Sequence, residues 1–85
     1  MVTKKIKKFG IFVYNDDSNS FAFVIDALMN CLGYEYTQAA NCANLIHNNG
    51  AYCVKSFSVK DLAKVQDITE LILKHGIKAD YRPIT

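Results

Sequence analysis

The 85 residues carry a net charge of +2, with 51% apolar and 21% charged side chains. That balance describes one small domain and excludes a strongly basic nucleic-acid binder, a low-complexity chain and a transmembrane protein. Three cysteines, Cys31, Cys42 and Cys53, are odd in number, one per element and without a CxxC pair, so they read as buried reduced thiols, not a disulfide framework or metal ligands.

Lys4, Lys5, Lys7 and Lys8 hold four of the ten basic residues and leave the rest near neutrality. Residues 1–7 read as a flexible lysine-rich tail and 8–85 as the folded domain. No apolar segment follows the lysines as in a signal peptide, which points to a cytoplasmic chain with no membrane partner. From Phe9 to Tyr14, β-branched and aromatic residues predict a strand with Phe9, Ile11 and Val13 on one face. Asn15 to Ser20 is polar and turn-like, and Ser18, Asn19 and Ser20 all suit a helix cap.

Phe21, Val24, Ile25, Leu28 and Leu32 recur at helical spacing, with Phe23 and Ala27 broadening the stripe, over a helix from Ser20 to Leu32 that Gly33 ends. A second helix, Thr37 to Asn48, has a small-residue face of Ala39, Cys42, Ala43 and Ile46. Ala51 to Phe57 predicts a strand. Ser58 with Asp61 resembles a capping box, opening a helix to His75 that buries Leu62, Val65, Ile68 and Ile72. Ile77, Ala79 and Tyr81 form one face of a last strand that Pro83 ends. The order β-α-α-β-α-β predicts an α+β domain, a three-stranded antiparallel sheet with three helices packed on one face.

Asn15, Asp16 and Asp17 throw several oxygen acceptors into the space after the first strand. His47, near the end of the second helix, adds one acceptor nitrogen when neutral. Such a set suits the three N–H donors of a primary ammonium. On spacing alone, a turn built by Asn15 and Asp17 and a helix-dipole role for His47 weigh more than ligand binding. No nucleophile, phosphate loop or metal pattern accompanies the cluster, so neither an enzyme nor a cofactor is expected.

Val13-Tyr14-Asn15-Asp16-Asp17, then Phe23-Val24-Ile25-Asp26-x-Leu28, Ala39, Ile46-His47-x-x-Gly50-Ala51-x-Cys53 and Lys64-Val65 together resemble the ClpS family, adaptors that recognise N-degrons for Clp-type AAA+ proteases. The resemblance implies that Asn15, Asp16 and His47 bind the free α-amino group of a substrate's first residue. It implies a side-chain pocket of Asp17, Asn19, Phe21, Val24, Ala43, Ile46 and Ala79. Lys64 remains from an acid-Thr-Lys run that docks on the N-terminal domain of a Clp unfoldase; Leu62 and Ala63 replace the other two. Ser18-Asn19-Ser20-Phe21 stands where the family carries a Tyr-Thr-Pro-Met type segment, so Phe21 replaces a gating Met. Ala43 and Ala79 stand where larger apolar residues are common. The expected ligand is an N-degron beginning with a large unbranched or aromatic residue. The same fold also occurs in the C-terminal domain of the bacterial ribosomal stalk protein, so a protein-interaction domain without degron delivery is the alternative.

Overall fold

A computed structural model describes residues 6–84; Lys4 and Lys5 of the predicted tail lie outside them. Strand β1 (Lys8–Tyr14) is followed by α1 (Phe21–Leu32), α2 (Tyr36–Asn49), β2 (Ala51–Ser58), a 3-10 turn (Val59–Asp61), α3 (Leu62–Lys74) and β3 (Ala79–Ile84). The sheet order is β2-β1-β3, antiparallel throughout. This is the expected β-α-α-β-α-β architecture.

The central strand explains why the helices gather on one face. Ile11 and Val13 are fully buried, with Phe9 half-buried beside them. They meet Ile25, Ala27 and Leu28 of α1, Ala39, Cys42, Ala43 and Ile46 of α2, and Val65 and Ile72 of α3 in one core. Each large apolar side chain removed from water here contributes about 1.5–3 kcal/mol. Burial also raises the thiols of Cys31, Cys42 and Cys53 above their ordinary values, which favours the protonated, unreactive form.

Several predicted details change. Ser20 alone caps α1, its Oγ accepting from Phe23 N at 3.1 Å. Phe21 and Phe23 are exposed and lie outside the core stripe. Ser58 does not form a capping box with Asp61; it accepts from Lys60 N at 3.3 Å and starts the 3-10 turn, delaying α3 to Leu62. α3 also buries Thr69, whose hydroxyl donates to the Val65 carbonyl at 2.7 Å. Pro83 lies inside β3, opposite Phe9, because β3 is an edge strand and an edge tolerates a residue without an N–H. Ile77 and Lys78 precede that strand.

In β2 the alternation breaks at Val54. Ile11 pairs with Lys55 and Phe12 with Cys53, so Val54 is the extra residue of a bulge and is buried. The far face of the sheet packs Arg82 over the Phe12 ring at 4.1 Å, and Tyr14 Oη donates to Asp80 at 2.8 Å. Gly10 is buried on that face. A Cβ there would stand 2.9 Å from Cys53 Sγ, 3.1 Å from the Phe12 ring and 3.2 Å from Ile84 Cδ1. Gly10→Val is therefore expected to destabilise the domain by about 1–3 kcal/mol through overpacking, read as a lower urea midpoint with unchanged slope.

Candidate functional site

β1 ends in acceptor-rich residues because the chain must turn there before α1. Two backbone bonds fasten the strand end: Tyr14 N donates to the Lys78 carbonyl at 3.0 Å, and Asn15 N to the Gly50 carbonyl at 2.8 Å. The first ties the turn to the approach to β3, the second to the end of α2. Gly50 stands at φ 83°, a left-handed conformation that closes α2 and that other residues adopt only with strain. His47 sits in the last turn of that helix.

Asp16 organises the turn. Its Oδ1 accepts from Ser18 N at 3.0 Å and from Ser18 Oγ at 2.8 Å, and its carbonyl accepts from Asn19 N at 3.1 Å. Its Oδ2 lies 3.9 Å from Lys78 Nζ. The backbone bond from Ser18 and then the Ser18 hydroxyl hold the Asp16 carboxyl below the ordinary value of 3.8; burial opposes them, and the charge of Lys78 adds a weaker effect in their direction. Asp16 is thus ionised throughout the neutral range. The side chain of Asn19 crosses to the end of α3, its Nδ2 donating to the Gly76 carbonyl at 3.2 Å.

These contacts bring nine residues around one cavity of about 350 Å³: Asn15, Asp16, Asp17, Asn19, Phe21, Val24, Ala43, Ile46 and His47. The volume is in the range of small-ligand sites. Its polar side comes from the β1–α1 turn and the end of α2. Its apolar side comes from the first turn of α1 and the small-residue face of α2, where Ala43 and Ile46 are each 2% exposed. Phe21 is 43% exposed and stands at the first residue of α1. An ionised carboxylate, an amide and an imidazole beside an apolar recess can take a cationic donor attached to an apolar group.

All nine are residues that the family resemblance implies for ligand contact, and two details differ. Ala79 does not line the cavity; it opens β3 opposite Val13 and packs against the core. Asp17 is exposed and makes none of the turn's hydrogen bonds, which belong to Asp16. Lys64 lies away from the cavity, exposed on α3. Ser18 and Lys78 were missed. An Asp followed two residues later by Ser is a local turn pattern that could have exposed the first; Lys78 leaves no local signal. Among the described residues no group of three or more His, Cys, Asp or Glu is placed to hold a metal ion, and no helix is long and apolar enough to cross a membrane.

Comparison with known proteins gives a family and a fold. The family model of the ATP-dependent Clp protease adaptor protein ClpS matches residues 4–79. A search of curated proteins finds no significant match. Among solved structures, Agrobacterium tumefaciens ClpS2 bound to L-phenylalaninamide superposes with a TM-score of 0.75 at 18% identity, covering 94% of this chain and 100% of that one.

The position of Asp16 generates a pH prediction. Its folded value is depressed, so its contribution to stability is present above the unfolded value and is lost as pH falls through the folded one. Ser18→Ala removes one of the two Ser18 donors. It is expected to move the Asp16 titration upward, read by carboxyl carbon NMR, and to start acid unfolding at a higher pH. At the other end of the cavity, Gly50→Ala is expected to cost about 1–2 kcal/mol, the penalty for a left-handed residue with a Cβ, measured by chemical denaturation.

Proposed function

The chain belongs to the ClpS family of ATP-dependent Clp protease adaptor proteins, and from that membership we propose that it binds the free α-amino group and bulky first side chain of N-degron substrates. The observation that carries this reading is the single cavity that unites Asn15, Asp16 and His47 with Phe21, Val24, Ala43 and Ile46. A free amine at the start of a chain brings one positive charge and three donors. Asp16 Oδ2 supplies the opposite charge, while Asn15 and neutral His47 supply directional acceptors. The first side chain enters the recess beside them. Asp17 and Asn19 edge it.

The Agrobacterium relative is bound to L-phenylalaninamide, an aromatic side chain beside a free amine. The same ligand chemistry fits this cavity. Phe21 makes one wall bulkier, and Ala43 makes another smaller, than the residues common in the family. Large unbranched and aromatic first residues (Phe, Tyr, Trp, Leu) remain the expected class, with an altered ranking. The protein acts as an adaptor without catalysis of its own, in the cytoplasm, and hands its cargo to a Clp AAA+ unfoldase. Exposed Lys64 on α3 is the proposed contact with the unfoldase's N-terminal domain. Leu62 and Ala63 beside it offer no polar partner, which favours a weak delivery interaction over loss of amine recognition.

Two outcomes test this reading. A peptide beginning with free Phe is expected to bind, its acetylated counterpart to be rejected, and Asp16→Ala to weaken binding about tenfold to a hundredfold, since a hydrogen bond to a charged group is worth about 1.5–3 kcal/mol; fluorescence anisotropy reads all three. His47→Ala is likewise expected to weaken binding of the free-Phe peptide, because it leaves one donor of the ammonium without its acceptor. An unchanged affinity excludes His47 from the amine site.

A further inference from the structure

The cavity has a cation at its edge that amine binding leaves unused. Lys78 Nζ lies 3.9 Å from Oδ2 of the cavity-lining Asp16, and the Lys78 side chain is 72% exposed. Its backbone is held firmly. The Lys78 carbonyl accepts from Tyr14 N at 3.0 Å, and two residues earlier the Gly76 carbonyl accepts from Asn19 Nδ2 at 3.2 Å. Segment 76–78 is thereby tied to both ends of the turn that forms the polar rim. The stem of Lys78 is anchored at its base, while its ammonium is exposed. Among the described residues Asp16 is its sole ion-pair partner.

Lys78 and an incoming amine are drawn to the same oxygen. Asp16 Oδ1 already receives Ser18 N and Ser18 Oγ, so a ligand ammonium has Oδ2 open to it. When it binds there, Lys78 gives up some or all of its partner's charge. The remainder of the bound chain must leave by the cavity mouth. Its second Cα lies about 3.8 Å from the first, within reach of a four-carbon lysine stem. Without Lys78 the rim would carry Asp16 and Asp17 alone and would repel an acidic second residue.

We propose that Lys78 is a specificity-determining residue that reads the second position of the bound chain, favouring Asp or Glu there over Lys or Arg. This rests on the amine-binding reading of the cavity, which fixes where the second residue emerges. An exposed ion pair is worth roughly a factor of two to five in affinity, so the effect is a graded preference and not a gate.

The test uses three peptides identical except for the second residue, beginning Phe-Glu, Phe-Ala and Phe-Lys, with an acetylated Phe-Ala control. Binding is measured to the wild-type chain, Lys78→Met and Lys78→Glu. Lys78 is largely solvated, and circular dichroism verifies that both variants fold. The wild type is expected to bind the Phe-Glu peptide about two- to fivefold more tightly than the Phe-Lys peptide. Lys78→Met should erase or reverse that ratio, Lys78→Glu should reverse it further, and high salt should flatten all three. If the ratio is the same in all three proteins while acetylated peptide is still rejected, the inference is overturned and amine recognition stands. A uniform gain in affinity for all free-amine peptides in Lys78→Met has the same meaning: Lys78 is then only a counter-ion for Asp16. If acetylated and free peptides bind alike, the amine-binding reading falls and this inference with it.

Discussion

The site depends on how the central strand is fastened at its end. Tyr14 N and Asn15 N, consecutive donors, reach the carbonyls of Lys78 and Gly50. One bond faces the approach to β3 and the other the end of α2, so a single short stretch of β1 fixes three parts of the chain at once. The turn from Asn15 to Asn19 is thereby set against His47, and α1 begins where Phe21 and Val24 can wall a recess with Ala43 and Ile46. The small residues of α2 matter to the same arrangement: a larger residue in place of Ala43, which is buried and lines the cavity, would fill part of it. Polar rim and apolar recess are consequences of one junction.

The chemistry follows from which atoms that junction leaves engaged. Ser18 occupies one oxygen of Asp16 through two donors and keeps the carboxylate ionised and oriented. The other oxygen faces an exposed lysine at ion-pair distance. A rim built this way carries charge without a permanently committed partner. It favours a ligand that brings a positive charge and several donors, and it penalises one that leaves the acceptors unpaired. Selectivity for a free amine over a blocked one is what the proposed function expects of such a site, and membership of the ClpS family supplies the biological setting for it.

Much of the fold was legible because its signals are local. Val24, Ile25, Leu28 and Leu32 repeat at helical spacing, Ser20 caps, and Ile11 and Val13 alternate as a buried strand does. The misreadings have tertiary causes. Pro83 reads as a strand end, yet an edge position removes the cost of its missing N–H. Ser58 and Asp61 have the spacing of a helix start but spend their first turn as a 3-10 segment. Thr69 is polar by composition and buried in fact because its hydroxyl bonds its own helix. In the site, the acceptor cluster was visible as three consecutive residues and its link to His47 through family spacing. Lys78 was not visible: its approach to Asp16 depends on how the segment before β3 docks, which no local pattern encodes. The place of Ala79, opposite Val13 and packed against the core, depends on the same docking.

The most direct measurement is a structure of this chain with a peptide beginning with free Phe. The account predicts the terminal amine within hydrogen-bonding distance of Asn15, Asp16 and His47, with the ring in the recess beside Phe21, Val24 and Ile46. A peptide seated elsewhere, or entering with its amine turned away from Asp16, would contradict it.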